Sequence, residues 1–268
     1  MTVAKSAQPE IVLPAHPATT TGPRQPRGTA DAATGASVRV RGVIRVFREG
    51  PIETVALQGL DLDVAPGEFV AIVGRSGSGK STLLHLLAGD DRPTAGSIMI
   101  DGIEIGQASE ADRARIRGRV VGSVFQADNL VMFLDLVENL QLAASLAGSP
   151  ITRSEAVAVL ESLGLGPFAG RRAGQLSGGE QQRAALGLVL ATQPWLLLAD
   201  EITGELDSET AAVVLDALQD IRRQSGMTLL LATHDREVAS RADRVVEIRD
   251  GRDVRPVSIG AKAGSRNE

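Results

Sequence analysis

The stretch GRSGSGKST, Gly74 to Thr82, constrains the fold of this chain more than any other. It follows the apolar run EFVAIVG (Glu68 to Gly74) and opens KSTLLHLLAG, which reads as a helix. The pattern G-x-x-x-x-G-K-[ST] between a strand and a helix makes a loop whose backbone N–H groups converge on phosphate oxygens. Such a loop needs a buried strand before it and a helix after it, so the expected fold is α/β around a mainly parallel sheet. Gly74, Arg75, Ser76, Gly77, Ser78 and Gly79 form the cradle. Lys80 supplies positive charge toward the outer phosphates, Ser81 offers a hydroxyl to Mg2+, and Thr82 completes the motif.

Three further runs are almost continuously apolar: VVGSVFQ (Val120 to Gln126), PWLLLAD (Pro194 to Asp200) and MTLLLATH (Met227 to His234). Strands buried on both faces of a parallel sheet read this way. VRVRGVIRVF and VALQGLDLDV alternate instead, as half-exposed antiparallel strands do. Between Ser109 and Arg172, apart from the strand ending at Gln126, the spacing is helical, and DLVENLQLAASLAG and TRSEAVAVLESLG end on glycine stops. The expected organisation is a disordered Ala-, Pro- and Thr-rich tail at 1–36, a folded domain at 37–254 with a helical subdomain over about 109–190, and a flexible tail at 255–268.

The chemistry implied by the loop needs acidic partners. If the apolar strands are parallel, Asp200 ends one of them on the edge where Gly74 emerges, and ligands of open α/β sheets sit at those carboxyl ends. Asp200 would hold Mg2+ through water, and Glu201 would polarise a water for attack on the terminal phosphate; the plain alternative is that both begin a surface loop. LSGGEQQR, Leu176 to Arg183, adds a second helix start suited to an anion. Ser177 is a fair N-cap and Glu180, three residues on, completes a capping box.

Composition narrows the classes. The chain has 268 residues, 43% of them hydrophobic, and a net charge of −5, which argues against a broad electrostatic grip on nucleic acid. It has no cysteine, so disulfides and thiolate metal sites are excluded, and His16, His85 and His234 are too scattered for a zinc site. The longest candidate span, Leu130 to Leu146, is broken by Asp135, Glu138 and Asn139, and the N-terminus has no continuous apolar core. A cytoplasmic location is expected, with any membrane role through a partner.

GRSGSGKST, LSGGEQQR and LLLADE, in that order, resemble the ATPase subunit of an ATP-binding cassette (ABC) transporter, over about Val38 to Arg252. The resemblance implies a phosphate-loop NTPase fold: a mainly parallel sheet core, an antiparallel β edge subdomain and an inserted helical subdomain. It implies ATP and Mg2+ as ligands. It also implies that this chain pairs head to tail with a second copy or a paralogous ATPase. Ser177, Gly178 and Gly179 of one chain would then close over the γ-phosphate held by the other, and ATP would favour the paired state over the open one.

The resemblance assigns further roles by position. Gln126 matches the glutamine that contacts Mg2+ and the attacking water, though alone it reads as a surface amide. GELD, Gly204 to Asp207, matches the dimer-contact loop, and Asp207 is also an N-cap for the helix after it. His234 matches the histidine that holds the γ-phosphate, and Phe47 the aromatic that stacks on adenine, with a core role for Phe47 left open. The implied catalytic set is Lys80, Gln126, Glu201 and His234; the implied Mg2+ set is Ser81, Gln126 and Asp200.

Two positions depart from the family pattern. Ile202 stands where Pro usually follows the catalytic Glu, which frees φ and restores an N–H. Glu205 places a carboxylate where Asn or Ala is commoner. SVFQADNLVMFLDLVENLQL and THDREVASRADRVVEIRDGR resemble the branch of macrolide exporters, lipoprotein-release ATPases and the cell-division ATPase. That branch implies a separate membrane permease as partner, for transport or for force transmission. NLVMFLDLVENL is unusually apolar, either as part of the groove for a permease helix or as an internal core helix. A soluble ATPase acting on nucleic acid is the remaining alternative, disfavoured because the span from Gly79 to Ser177 has no sustained heptads.

Overall fold

The computed structural model describes residues 35–125, 130–204 and 208–254. In chain order its elements are β1 (Val38–Glu49), β2 (Ile52–Val64), β3 (Phe69–Val73), α1 (Lys80–Ala88), β4 (Ala95–Ile100), β5 (Ile103–Glu104), α2 (Glu110–Arg119), β6 (Val121–Val124), α3 (Leu136–Leu146), α4 (Arg153–Ser162), α5 (Gly178–Thr192), β7 (Leu196–Asp200), α6 (Ser208–Ser225), β8 (Thr228–Thr233), α7 (Arg236–Ala239), β9 (Arg244–Arg249) and β10 (Arg252–Val254). They fall into two compact units: a sheet unit with all of these strands plus α1, α2 and α7, and a helical unit with α3, α4, α5 and α6.

The sheet unit carries a six-stranded sheet in the order β10-β9-β3-β8-β7-β6. Strands β9, β3, β8, β7 and β6 are parallel, and β10 closes one edge antiparallel to β9. The apolar runs explain this arrangement: β3, β7 and β8 are buried along nearly their whole length, which suits strands covered on both faces. Helix α1 buries Leu83, Leu84, Leu86, Leu87 and Ala88, leaving Ser81 and His85 on its exposed face, and it lies against β6, β7 and β8 as well as β2.

A second, antiparallel sheet has the order β2-β1-β4-β5. Its alternation shows on β1, where Val38, Val40 and Val43 are buried while Arg39 and Arg41 are exposed. The pairing of β1 with β2 slips between Arg45 and Val46, which face Leu57 and Val55, so Ala56 is left over as a bulge.

Two boundaries differ from the sequence reading. Helix α2, assigned there to the helical block starting near 109, packs on β6 within the sheet unit; its apolar contact residue is Ile116, which is buried in the sheet unit's core. Gly35 and Ala36, assigned there to the tail, are buried. The Ala36 N–H donates to the Trp195 carbonyl at 3.1 Å, and its own carbonyl accepts from the Thr228 hydroxyl at 2.7 Å. Backbone pairing therefore orders the chain two residues earlier than composition suggests.

In the helical unit, three helices open with a reciprocal capping box: Asp135 with Glu138 on α3, Thr152 with Glu155 on α4, and Ser177 with Glu180 on α5. Helices α3, α4 and α5 pack on one another, and Leu136, Leu140, Ala156, Leu160, Ala184 and Leu186 on them are almost fully buried. The buried amide of Asn139 fastens the preceding loop. Its Oδ1 accepts from the Val131 N–H, and its Nδ2 donates to the carbonyls of Val131, Leu134 and Asp135. The loop it fastens nevertheless leaves Met132 and Phe133 exposed, Phe133 to 74%.

Candidate functional site

The parallel register makes the site. Val73 pairs with Thr233 and Asp200 with Ala232, so the carboxyl ends of β3, β8 and β7 lie level, in strands about 4.8 Å apart. The loop Gly74–Gly79, Asp200 with Glu201, and His234 all leave the sheet at that edge.

The phosphate loop is built as an anion receptor. Helix α1 starts at Gly79 with φ +106, a value that a side chain would disfavour, and no side chain caps its N-terminus. Its first turn contains no acidic residue, so its free N–H groups and positive dipole end face the loop. The Lys80 ammonium, buried to 6% exposure, donates to the carbonyls of Gly74 at 2.9 Å and Arg75 at 3.2 Å. Among the described residues the buried Ser78 hydroxyl has no hydrogen-bond partner. A buried cation held only by carbonyls, an unpartnered hydroxyl and an uncapped helix start together fit a bound phosphate chain.

Residues for a metal are also at this edge. Ser81 lies exposed in the first turn of α1, and Asp200 ends the β7 strand. A hydroxyl and a carboxylate are the hard oxygen donors Mg2+ takes from protein, the rest coming from phosphates and water. Among the described residues there is no cluster of three or more His, Cys, Asp or Glu able to hold a metal alone.

Glu201 and His234 form a pair. The His234 Nδ1 lies 3.0 Å from Glu201 Oε1, a hydrogen-bond distance at which an Nδ1–H donates to a carboxylate. The Glu201 N–H donates to the Ala232 carbonyl at 3.0 Å, and Glu201 has φ +49. The next residue, Asp235, caps α7 and donates its N–H to the Thr233 hydroxyl at 3.0 Å.

Phe47, 39% exposed, pairs with Thr54 on β2, two residues from the bulge at Ala56. A Cβ on Gly79 would stand 2.6 Å from the Ala56 carbonyl oxygen, so the bulge touches the phosphate loop. At about 3.4 Å per strand residue, Phe47 lies on the order of 7–10 Å along the strand from that contact, a distance suited to a nucleotide base. Ser177, Gly178 and Gly179 lie in the helical unit at the start of α5, where the Ser177 N–H and hydroxyl both donate to Glu180 Oε2 at 2.8 Å. Gln126, Glu205 and Asp207 lie outside the described residues.

The sequence reading did not single out Arg45, Asp91 or Gly251. The Arg45 guanidinium lies over the Phe47 ring, 4.4 Å from its centroid, and pairs with Asp91 at 2.7 Å. The Gly251 N–H donates to the Ser78 carbonyl at 3.0 Å. The R-x-F spacing on a strand and the Asp-Gly dipeptide at 250–251 were the available signals. Among the described residues no helix is long and apolar enough to cross a membrane.

Comparison with known proteins adds the following. A family model described as ABC transporter matches residues 57–204. An uncharacterized ABC transporter ATP-binding protein of Mycobacterium tuberculosis is 45% identical over 217 residues, covering 80% of this chain and 88% of that protein. The lipoprotein-releasing system ATP-binding protein LolD of Xanthomonas campestris is 41% identical over 228 residues, covering 84% of this chain and 95% of its own. Among solved structures, the ATP-binding cassette MJ0796, dimeric in a post-hydrolysis state with ADP and Pi, superposes with a TM-score of 0.78 at 34% identity, covering 82% of this chain and 97% of that one.

Proposed function

Since this chain belongs to the ABC transporter family, as an ATP-binding subunit and an ATPase, we propose that it acts as one half of a head-to-tail pair that closes on ATP and drives a separate membrane permease. One observation carries the reading. The uncapped α1 start with Lys80, the Asp200 carboxylate and the Glu201–His234 pair leave one edge of a parallel sheet, while a second anion-suited helix start, at Ser177, belongs to the other unit of the same chain. Two copies give each phosphate loop a Ser177 from its partner. The dimeric state and the ADP and Pi of the cassette MJ0796 support carrying this arrangement over.

The residues divide the work. The N–H groups of Gly74 to Gly79 and the Lys80 ammonium bind the phosphates. Lys80 exchanges its carbonyl partners for phosphate oxygens, which accept more strongly. Ser81 and Asp200, with Gln126 as a further donor, would hold Mg2+, and the ion would neutralise charge on the phosphate oxygens. Glu201 accepts a proton from the attacking water and orients it. His234 holds Glu201 in place through Nδ1 and presents Nε2 to the terminal phosphate. Phe47 stacks on adenine, Asp207 contacts the partner, and Ser177, Gly178 and Gly179 complete the site of the other copy.

The exposed Met132 and Phe133, rigidly backed by Asn139, support a docking place for a cytoplasmic helix of the permease. The protein then works at the inner face of the membrane through that partner.

The test is Glu201→Gln. With MgATP it should bind nucleotide, elute as a dimer in light scattering, and hydrolyse about 100-fold or more slowly than the parent chain. Lys80→Ala should bind ATP weakly and remain monomeric. A Glu201→Gln protein that turns over ATP at the parent rate, or a hydrolysing parent that stays monomeric at every concentration, overturns the proposal.

A further inference from the structure

We infer that Arg45 is a positioning residue for the nucleotide base, acting through Phe47 and anchored by Asp91 to the far end of the phosphate-loop helix. The inference rests on the reading of Phe47 as the adenine platform and deepens it.

The geometry begins on β1. Arg45 and Phe47 are two residues apart and share a face of the strand. The guanidinium carbon lies 4.4 Å from the ring centroid, within the range of a cation–π contact. The same guanidinium forms an ion pair with Asp91, Nε to Oδ2 at 2.7 Å without hydrogen-bond alignment, and the two side chains are only 22% and 31% exposed. The next arginine on the strand, Arg48, instead pairs with Glu53 in the open, at 74% and 58% exposure, and among the described residues covers no ring. Arg45 is thus held by two contacts that restrict it, and Arg48 is not.

Asp91 matters because of where it sits. Helix α1 begins at Lys80 in the phosphate loop and ends at the Gly89 cap, two residues before Asp91. The segment after it is stitched to β1: the Val46 N–H donates to the Thr94 hydroxyl at 3.0 Å, and the Thr94 N–H donates to the Ile44 carbonyl at 2.8 Å. The phosphate loop, α1, Asp91, Arg45 and Phe47 form one connected path, so the ring is set relative to the cradle from both ends.

A phenylalanine needs that help. It has no hydroxyl to fix its ring by hydrogen bonding, and this ring remains 39% exposed, in a chain with no tyrosine and five phenylalanines. A cation on one face fixes the ring plane and leaves the other face for a base. Asp91 neutralises the arginine.

The test separates base from phosphate. Calorimetric titrations with ATP and with inorganic tripolyphosphate, both with Mg2+, are made on the parent, Phe47→Ala, Arg45→Ala and the double variant. Phe47→Ala should weaken ATP by about 5- to 150-fold, the range for losing one aromatic–base stack. Arg45→Ala should weaken ATP by about 2- to 5-fold. Neither should change tripolyphosphate affinity, and Arg45→Ala should cost nothing further when Phe47 is already Ala.

If Phe47→Ala leaves ATP affinity unchanged, the adenine-platform reading fails and takes this inference with it. If Phe47→Ala behaves as expected while Arg45→Ala has no effect, or has the same effect in the double variant, only the role of Arg45 is overturned. Equal loss of ATP and tripolyphosphate in Arg45→Ala would assign it a structural role and overturn the inference as well.

Discussion

Gly251 supports the phosphate loop from behind, and replacing it by alanine should loosen ATP binding as well as stability. The residue sits in the two-residue turn between β9 and β10, where Asp250 has φ +49 and Gly251 φ +72, as an Asp-Gly hairpin requires. Its N–H holds the Ser78 carbonyl at 3.0 Å, and its carbonyl accepts from the Gln58 N–H at 2.8 Å. A Cβ there would stand 2.6 Å from the Ala56 carbonyl oxygen and 2.9 Å from the Leu57 Cα, both backbone atoms that cannot swing away. The left-handed conformation costs alanine about 1–2 kcal/mol. The overlap adds about 1–3 kcal/mol, relieved in part by pushing the turn and Ser78 together.

The same molecule contains the control. Asp101 and Gly102 form the same kind of turn between β4 and β5, with φ +49 and +79, but a Cβ on Gly102 would meet nothing within 4 Å. Gly102→Ala therefore carries the conformational cost alone, and the entropy that alanine removes from the unfolded chain is common to both variants. Thermal unfolding should show a fall of about 2–8 °C for Gly102→Ala, at about 2–4 °C per kcal/mol for a domain of this size, and a larger fall for Gly251→Ala. Calorimetric MgATP affinity should be unchanged in the first and about tenfold weaker in the second, the effect of roughly 1.4 kcal/mol of displaced loop geometry. Equal melting losses, with parent ATP affinity in both, would refute the claim that this turn positions Ser78.

Two further outcomes follow from the helical unit. The Ser177 N–H and hydroxyl hold the Glu180 carboxyl below its ordinary value of 4.5, so its contribution to the α5 cap is present above that pH and lost as pH falls through the lower folded value. Amide protection of Gly179 to Gln181, corrected for intrinsic exchange, should drop in that acidic window, and Glu180→Gln should remove the pH dependence. Asn139→Ala removes the acceptor of the half-buried Val131 N–H, while the Val131 carbonyl keeps the Leu134 N–H, and should cost about 1–3 kcal/mol in chemical denaturation while making the Met132–Phe133 loop more susceptible to protease.

The parts of this molecule that depend on local pattern were readable from sequence. Uninterrupted apolar runs marked β3, β7 and β8 because both of their faces are covered, and the three capping boxes can be read as S/T/D-x-x-E. What was hidden depends on contacts between segments far apart in the chain. Helix α2 has helical spacing like its neighbours α3 and α4, and nothing in EADRARIRGR says that it packs on β6 instead of joining them. Ala36 belongs to a polar, small-residue stretch, and its order comes from Trp195 and Thr228, more than 150 positions away. Arg45 and Asp91 read as ordinary surface charges until β1 and the end of α1 are brought together. Gly251 looks like any hairpin glycine; only the atoms behind it distinguish it from Gly102.

The same distinction gives a physical reading to Ile202, the departure from the family pattern at the candidate catalytic centre. A proline at 202 would clash with the N–H and Cβ of Glu201 and drive that residue toward extended backbone. Glu201 instead has φ +49, a left-handed conformation that costs a non-glycine residue about 1–2 kcal/mol. Three features hold it there: its N–H on the Ala232 carbonyl, its carboxylate on the His234 imidazole, and the Ile202 side chain that follows it, buried to 2% exposure. Ile202 thus does two things that proline cannot do together: it tolerates the left-handed residue before it, and it retains an N–H. The direction of the Glu201 carboxylate is set by the strand edge and by His234, not by a rigid imide.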